Sequence, residues 1–86
     1  MLVYVHRVAD PERMVAELRD AGLHLAREQH GAGPVHYAIE RGDVVLEVYP
    51  ADRERPCDRC AGRVEDDRPA TICAACLGEI VLELRG

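Results

Sequence analysis

An α+β fold is what this sequence predicts, and three features predict it. The first fifty residues read as strand, helix and three further strands, in the order β-α-β-β-β. The single helical segment carries stop and start signals at both ends. All four cysteines fall in the remaining segment, in two pairs that share the frame C-x-x-C-x-G. The chain therefore divides near Pro50 into a sheet-forming unit, residues 1–50, and a small four-cysteine tail, residues 51–86.

The run LVYVHRV, residues 2 to 8, is rich in β-branched and aromatic side chains and reads as a strand. In DPERMVAELRDAG, Asp10 can cap a helix, Pro11 suits its first position, Glu12 favours its positive end, and Gly22 can terminate it. Met14, Val15, Leu18 and Ala21 form one apolar stripe, so this helix must lie on something. LHLAREQ, residues 23 to 29, follows as a second strand and HGAGP as a turn. VHYAIE (35 to 40) and VVLEVY (44 to 49) are two further strands, joined through Arg41, Gly42 and Asp43 in a tight hairpin.

Strand alternation divides these runs between two faces. Val44, Leu46 and Val48 are purely aliphatic and fit beneath the helix, which leaves Val45, Glu47 and Tyr49 on the open side. Val3, Val5 and Arg7 share one face of the first strand, opposite Tyr4, His6 and Val8. A half-apolar open face needs a cover, and a symmetric homodimer is the simplest one.

The segment REQHGAGPVHYAIERGDVVLEVYP, with the VADPER helix start and AGLHL before it, resembles the N-terminal module of the glyoxalase, bleomycin resistance and dioxygenase proteins, the vicinal oxygen chelate superfamily. The resemblance covers residues 2 to 50. It implies half of a cupped sheet, completed by a second module, around a metal or a small ligand. Glu47 stands where the family places a metal-binding carboxylate, but its usual first-strand partner aligns with Val3, which cannot bind a metal. The resemblance therefore points to a small-molecule pocket with Arg7, His36, Glu47 and Tyr49 as candidate ligand-binding residues. A second metal at Glu47, paired with His36, is possible, but a plain ion pair between Glu47 and an arginine such as Arg7, with His36 a satisfied polar residue, outweighs it.

Cys57, Cys60, Cys73 and Cys76 form C-x2-C-x12-C-x2-C, the arrangement of a zinc ribbon. Each pair can present two thiolates to one ion, and two pairs complete a tetrahedron. Gly62 and Gly78 are expected to make the tight turns that aim backbone N–H groups at the sulfurs. Redox chemistry, a disulfide framework and another metal are the alternatives, and the first normally uses a single C-x-x-C. With all four positions filled by protein, such a zinc is structural. VEDDRP is expected to return the chain as a hairpin, and EIVLELRG, where Ile80, Leu82 and Leu84 alternate with Val81 and Glu83, reads as a terminal strand.

Composition narrows the function. The chain has 86 residues, no Phe or Trp, and a net charge of −5, with every basic residue an arginine. So small a domain needs a staple, and an acidic one lacks the basic face that nucleic acid requires. Arg53, Arg55, Arg59 and Arg63 cluster locally, but acids are interleaved with them. No apolar run spans a membrane and no signal-peptide pattern is present, so a cytoplasmic protein is expected. Two classes remain: a zinc-stabilised homodimer that binds a small molecule, with or without catalysis, and a zinc-ribbon module for a protein or nucleic-acid partner that the first unit merely dimerises.

Overall fold

A computed structural model describes residues 1–51 and 55–85; Arg53 of the expected arginine cluster lies outside them. The elements run β1 (Leu2–Val8), α1 (Pro11–Asp20), β2 (Ala26–Glu28), β3 (His36–Arg41), β4 (Val44–Pro50), β5 (Pro69–Thr71) and α2 (Ala74–Arg85). One mixed sheet takes all five strands in the order β2-β3-β4-β1-β5. β1 pairs in parallel with β4 on one side and β5 on the other, while β2, β3 and β4 are antiparallel neighbours.

The local signals explain the first half. Asp10 accepts a hydrogen bond from the Arg13 N–H at 3.2 Å, closing the start of α1 behind Pro11. At the other end the Gly22 N–H bonds the Arg19 carbonyl and the Leu23 N–H bonds the Leu18 carbonyl, each at 2.9 Å. This double closure needs a left-handed residue between them, and Gly22 supplies it at φ +96°. The chain then drops Leu23 and Leu25 into the core before β2 begins. β2 is therefore shorter than the sequence suggests: its first residues are spent on core burial, and as an edge strand it pairs with β3 alone. Gly42, at φ +58°, opens the two-residue turn that joins β3 to β4.

Directly paired residues share a face, so the register sorts the side chains. One row contains Leu2, Tyr4, Tyr37, Leu46, Val48 and Ala70. These residues form a single cluster with Val15 and Leu18 of α1 and with Leu77, Ile80, Val81 and Leu84 of α2. Both helices thus cover the same face. Burying side chains of this size contributes roughly 1.5–3 kcal/mol each. The other row, Val3, Val5, Arg7, Glu28, His36, Ala38, Val45, Glu47, Tyr49 and Thr71, carries no helix.

The last segment departs from expectation. EIVLELRG is not a strand but the body of α2. Its buried positions are Cys76, Leu77, Ile80, Val81 and Leu84, a helical stripe, whereas Leu82, which a strand would have buried beside Ile80 and Leu84, is 66% exposed. The Arg41 guanidinium donates to the Leu84 carbonyl at 3.0 Å, satisfying one of the last acceptors of this helix. Nor do residues 57–76 form the hairpin of a zinc ribbon. The segment between the cysteine pairs turns through Asp67, at φ 63°, and supplies β5 to the edge of β1.

Candidate functional sites

Among the described residues, two groups of side chains could hold a metal ion, one made of thiols and one of imidazoles and a carboxylate.

The first is set by the C-x-x-C pairs. Cys57 and Cys60 bracket a turn that closes at Gly62 in a left-handed conformation, φ +70°. Cys73 and Cys76 are brought together differently: the Leu77 N–H bonds the Cys73 carbonyl at 2.9 Å, so this pair is wound on the first turn of α2. Gly78 consequently lies within the helix and makes no turn, contrary to the expected symmetry of the two frames. Cys60 Sγ lies 3.5 Å from Cys76 Sγ and 3.8 Å from Cys73 Sγ, and Cys57 Sγ lies 3.7 Å from Cys76 Sγ. Four thiolates bound tetrahedrally with metal–sulfur bonds of about 2.3 Å stand about 3.8 Å apart, so the cluster fits a metal such as zinc. Cys60 meets sulfurs of both chain segments, which is the pattern of one shared centre rather than of two separate dithiols.

The surroundings favour thiolate at Cys57, whereas Cys60 and Cys76 are raised. Burial by itself would raise the Cys57 thiol, but N–H groups of Cys60 and Cys73, at 3.4 and 3.3 Å from its sulfur, together with neighbouring thiols, bring it down to about 6. Cys60, hydrogen-bonded by the other three thiols, is pushed up to about 12. Arg59, paired with Glu79, also reaches Cys76 and supplies positive charge beside the cluster.

The cluster is tied into the sheet. The Asp58 N–H donates to the Thr71 carbonyl at 2.8 Å, and Asp58 Oδ2 accepts from the Thr71 N–H at 2.9 Å, joining the first cysteine turn to β5. The Ile72 N–H bonds the Val5 carbonyl, and the buried His6 ring donates from Nδ1 to the Ile72 carbonyl at 3.0 Å. A metal here would fix β5 against β1 and start α2 over the core.

The second group lies on the open face. Register pairs Glu28 with His36 and Ala38 with Glu47, which brings the β2, β3 and β4 side chains together. His36 stacks on Tyr49 with ring centroids 4.3 Å apart and planes 6° from parallel. Its Nδ1 donates to the Pro34 carbonyl at 3.1 Å, since a carbonyl can only accept. Its Nε2 is buried without a hydrogen-bond partner, 3.9 Å from Glu47 and 4.0 Å from Glu28. His30, from the turn after β2, stands 3.6 Å from the same Glu28 oxygen. Burial, then the charges of Glu47 and Glu28, hold the Tyr49 hydroxyl above its usual range.

Of the four residues expected to line a pocket, His36, Glu47 and Tyr49 come together here. Arg7 does not pair with Glu47; it donates to Thr71 Oγ1 at 2.9 Å and lines a separate 210 Å³ hollow with His6, Arg55 and Cys57. Burial, followed by repulsion from Arg55, lowers the Arg7 guanidinium. Glu28 and His30 were not legible as site residues, because their approach to His36 depends on the β2–β3 register and the turn between. Comparison with known proteins finds no matching family model, no matching curated relative and no matching solved structure.

Proposed function

We propose that this chain is a zinc-stapled binding protein of the glyoxalase and bleomycin-resistance kind, whose open sheet face, doubled in a homodimer, forms a cup for a small molecule. The observation that carries the reading is a sheet with both helices on one face. The other face is left with a half-covered apolar row, Val3, Val45 and Tyr49, around the polar residues His36 and Glu47. The strand order β2-β3-β4-β1, with β1 and β4 parallel, supports it, since half a cup of this connectivity leaves one face for a second module. Zinc is the ion the cysteine cluster suits best, because soft thiolates at tetrahedral spacing select it among common divalent metals. Its role is structural, and the cup is the working surface.

Light scattering at micromolar concentration tests the dimer. The expected mass is twice the 9.5 kDa of the chain, and Val45→Arg, which sets a cation on the shared face, is expected to give monomer. A monomer mass for the unmodified protein removes the shared cup. Elemental analysis is expected to show one zinc held by the four thiols, and four freely titrating thiols in a metal-free folded chain contradict the staple.

A further inference from the structure

The open face holds a second group whose geometry is that of an unfinished metal centre. Glu28, His30 and His36 offer one ligand atom each, all within 4.8 Å of one another. Three facts separate them from a chance grouping of polar side chains. His36 is only 2% exposed, yet its Nε2 has no hydrogen-bond partner, and a buried ring nitrogen left unpaired is costly. The Nδ1–H is given to the Pro34 carbonyl, so in the neutral ring Nε2 carries the lone pair and lies 4.0 Å from Glu28. A ligating histidine is usually held by such a bond from its other nitrogen to a backbone carbonyl. The ring is also clamped in plane by the stack on Tyr49.

We propose that Glu28, His30 and His36 bind a divalent transition metal, zinc in the simplest case, through one carboxylate oxygen and two imidazole nitrogens. Ligand atoms around a tetrahedral ion with bonds near 2.1 Å are about 3.4 Å apart. The separations of 3.6 Å from His30 to Glu28 and 4.0 Å from His36 to Glu28, with the two ring nitrogens within 4.8 Å of each other, must contract to reach that value. His30 follows an edge strand and is largely exposed, and Glu28 is on that strand and half-exposed, so their side chains have room to rotate. Three protein ligands leave a coordination position open. Glu47, 3.9 Å from Nε2 on the neighbouring strand, is the carboxylate beside that position. A metal here would give the cup a point of attachment for an oxygen-donor ligand, such as a carboxylate or an enolate. All three ligands come from one chain, so the site does not rest on the dimer.

The rival arrangement is a protonated His36 held as a cation between Glu28 and Glu47, with no metal. The two are separated by titrating the full chain, its cysteine cluster already filled with zinc, with Co2+ or Zn2+. A second equivalent per chain is expected to bind saturably. With Co2+ it should show weak ligand-field bands and none of the intense thiolate charge-transfer absorption that metal in the cysteine cluster gives. Glu28→Gln and His30→Gln, both at solvent-exposed or half-exposed positions, are each expected to weaken this binding at least tenfold without changing the melt. His36→Gln is expected to abolish it, and the first two variants keep the test intact where that one fails to fold. In 15N spectra of the unmodified protein, the His36 Nε2 resonance should shift on adding Zn2+. Saturation at one metal per chain overturns the site, as does a second equivalent that neither Glu28→Gln nor His30→Gln weakens. Loss of the second equivalent in Val45→Arg would overturn the single-chain assignment, whereas its retention in a monomer separates this site from the shared cup.

Discussion

The cysteine cluster and the imidazole–carboxylate group are built in opposite ways. The cysteines come from one local turn and the first turn of α2, each pair is close by its own C-x-x-C spacing, and together they offer four ligand atoms. The sheet-face group comes from an edge strand, a turn and an inner strand, exists only because the sheet is formed, and stops at three ligands. The first can therefore create structure, since metal-binding free energy at such a site is folding free energy. The second can only use structure that is already there. On the reading proposed above, one centre is closed and would hold the fold, and the other is open and would depend on it.

Breaking each centre should expose that contrast. The largest effect is expected from Cys76→Ser, which removes a ligand and a buried side chain at the start of α2. Zinc content should fall below one per chain. Stability should drop on the order of 3 kcal/mol or more, roughly 12–24 °C in Tm for a domain of this size. A melt unchanged in this variant would break the contrast outright.

Acid should act on the cysteine centre with a definite sign. Metal binding displaces whatever protons the thiols still hold. Above about 6 Cys57 is already thiolate, while Cys60, pushed up to about 12, gives up its proton to the metal throughout the neutral range. Affinity for zinc should therefore fall as pH falls, and the slope of log affinity against pH should steepen by about one as pH drops through about 6. Competition with a chromophoric chelator between about pH 5 and 8 measures it, and a slope that stays constant contradicts the depressed Cys57.

On the sheet face the effects should be smaller and confined to binding. Glu47→Gln keeps the shape and one acceptor, and Glu47 is 20% exposed with no arginine partner among the described residues. Its melt should stay within about 1 kcal/mol of the parent, far less than the roughly 3–5 kcal/mol that follows removal of one member of a buried ion pair. Second-equivalent metal affinity should fall by less than in Glu28→Gln. The smallest effect belongs to Leu82→Glu. On the exposed side of α2 it should change stability by no more than about 0.5 kcal/mol, whereas loss of a core position would cost several times that.

What could be read from the chain follows the same division. α1, the β3–β4 hairpin and the cysteine centre were legible because their signals are local: Asp10 with Pro11, Gly22, Gly42, and the doubled C-x-x-C. The sorting of Leu46 and Val48 inward and of Glu47 outward was legible from alternation alone. α2 was misread because Ile80, Leu82 and Leu84 alternate over a run too short to tell a strand from a helix. The discriminating residue was Leu77, which extends the buried set to 77, 80, 81 and 84 but sits inside the cysteine frame, where it looked like part of a turn. Glu28 and His30 stayed hidden because nothing in their own neighbourhood names His36 as a partner. The pairing of 28 with 36 follows only once the β2–β3 register is fixed.

β1 is the first strand in the chain, yet it is inner in the sheet, with β4 on one side and β5 on the other. Its second edge is not covered until residues 69–71 arrive, and those are held in place from both flanks by the cysteine turns. β1 therefore has one side unpaired until residues 69–71 join it, and in the folded protein three residues of β5 cover that side. An uncovered, β-branched strand edge is a template for other strands. Metal starvation should consequently show itself first as self-association of nascent and mature chains, through β1, before any loss of the helix-covered core.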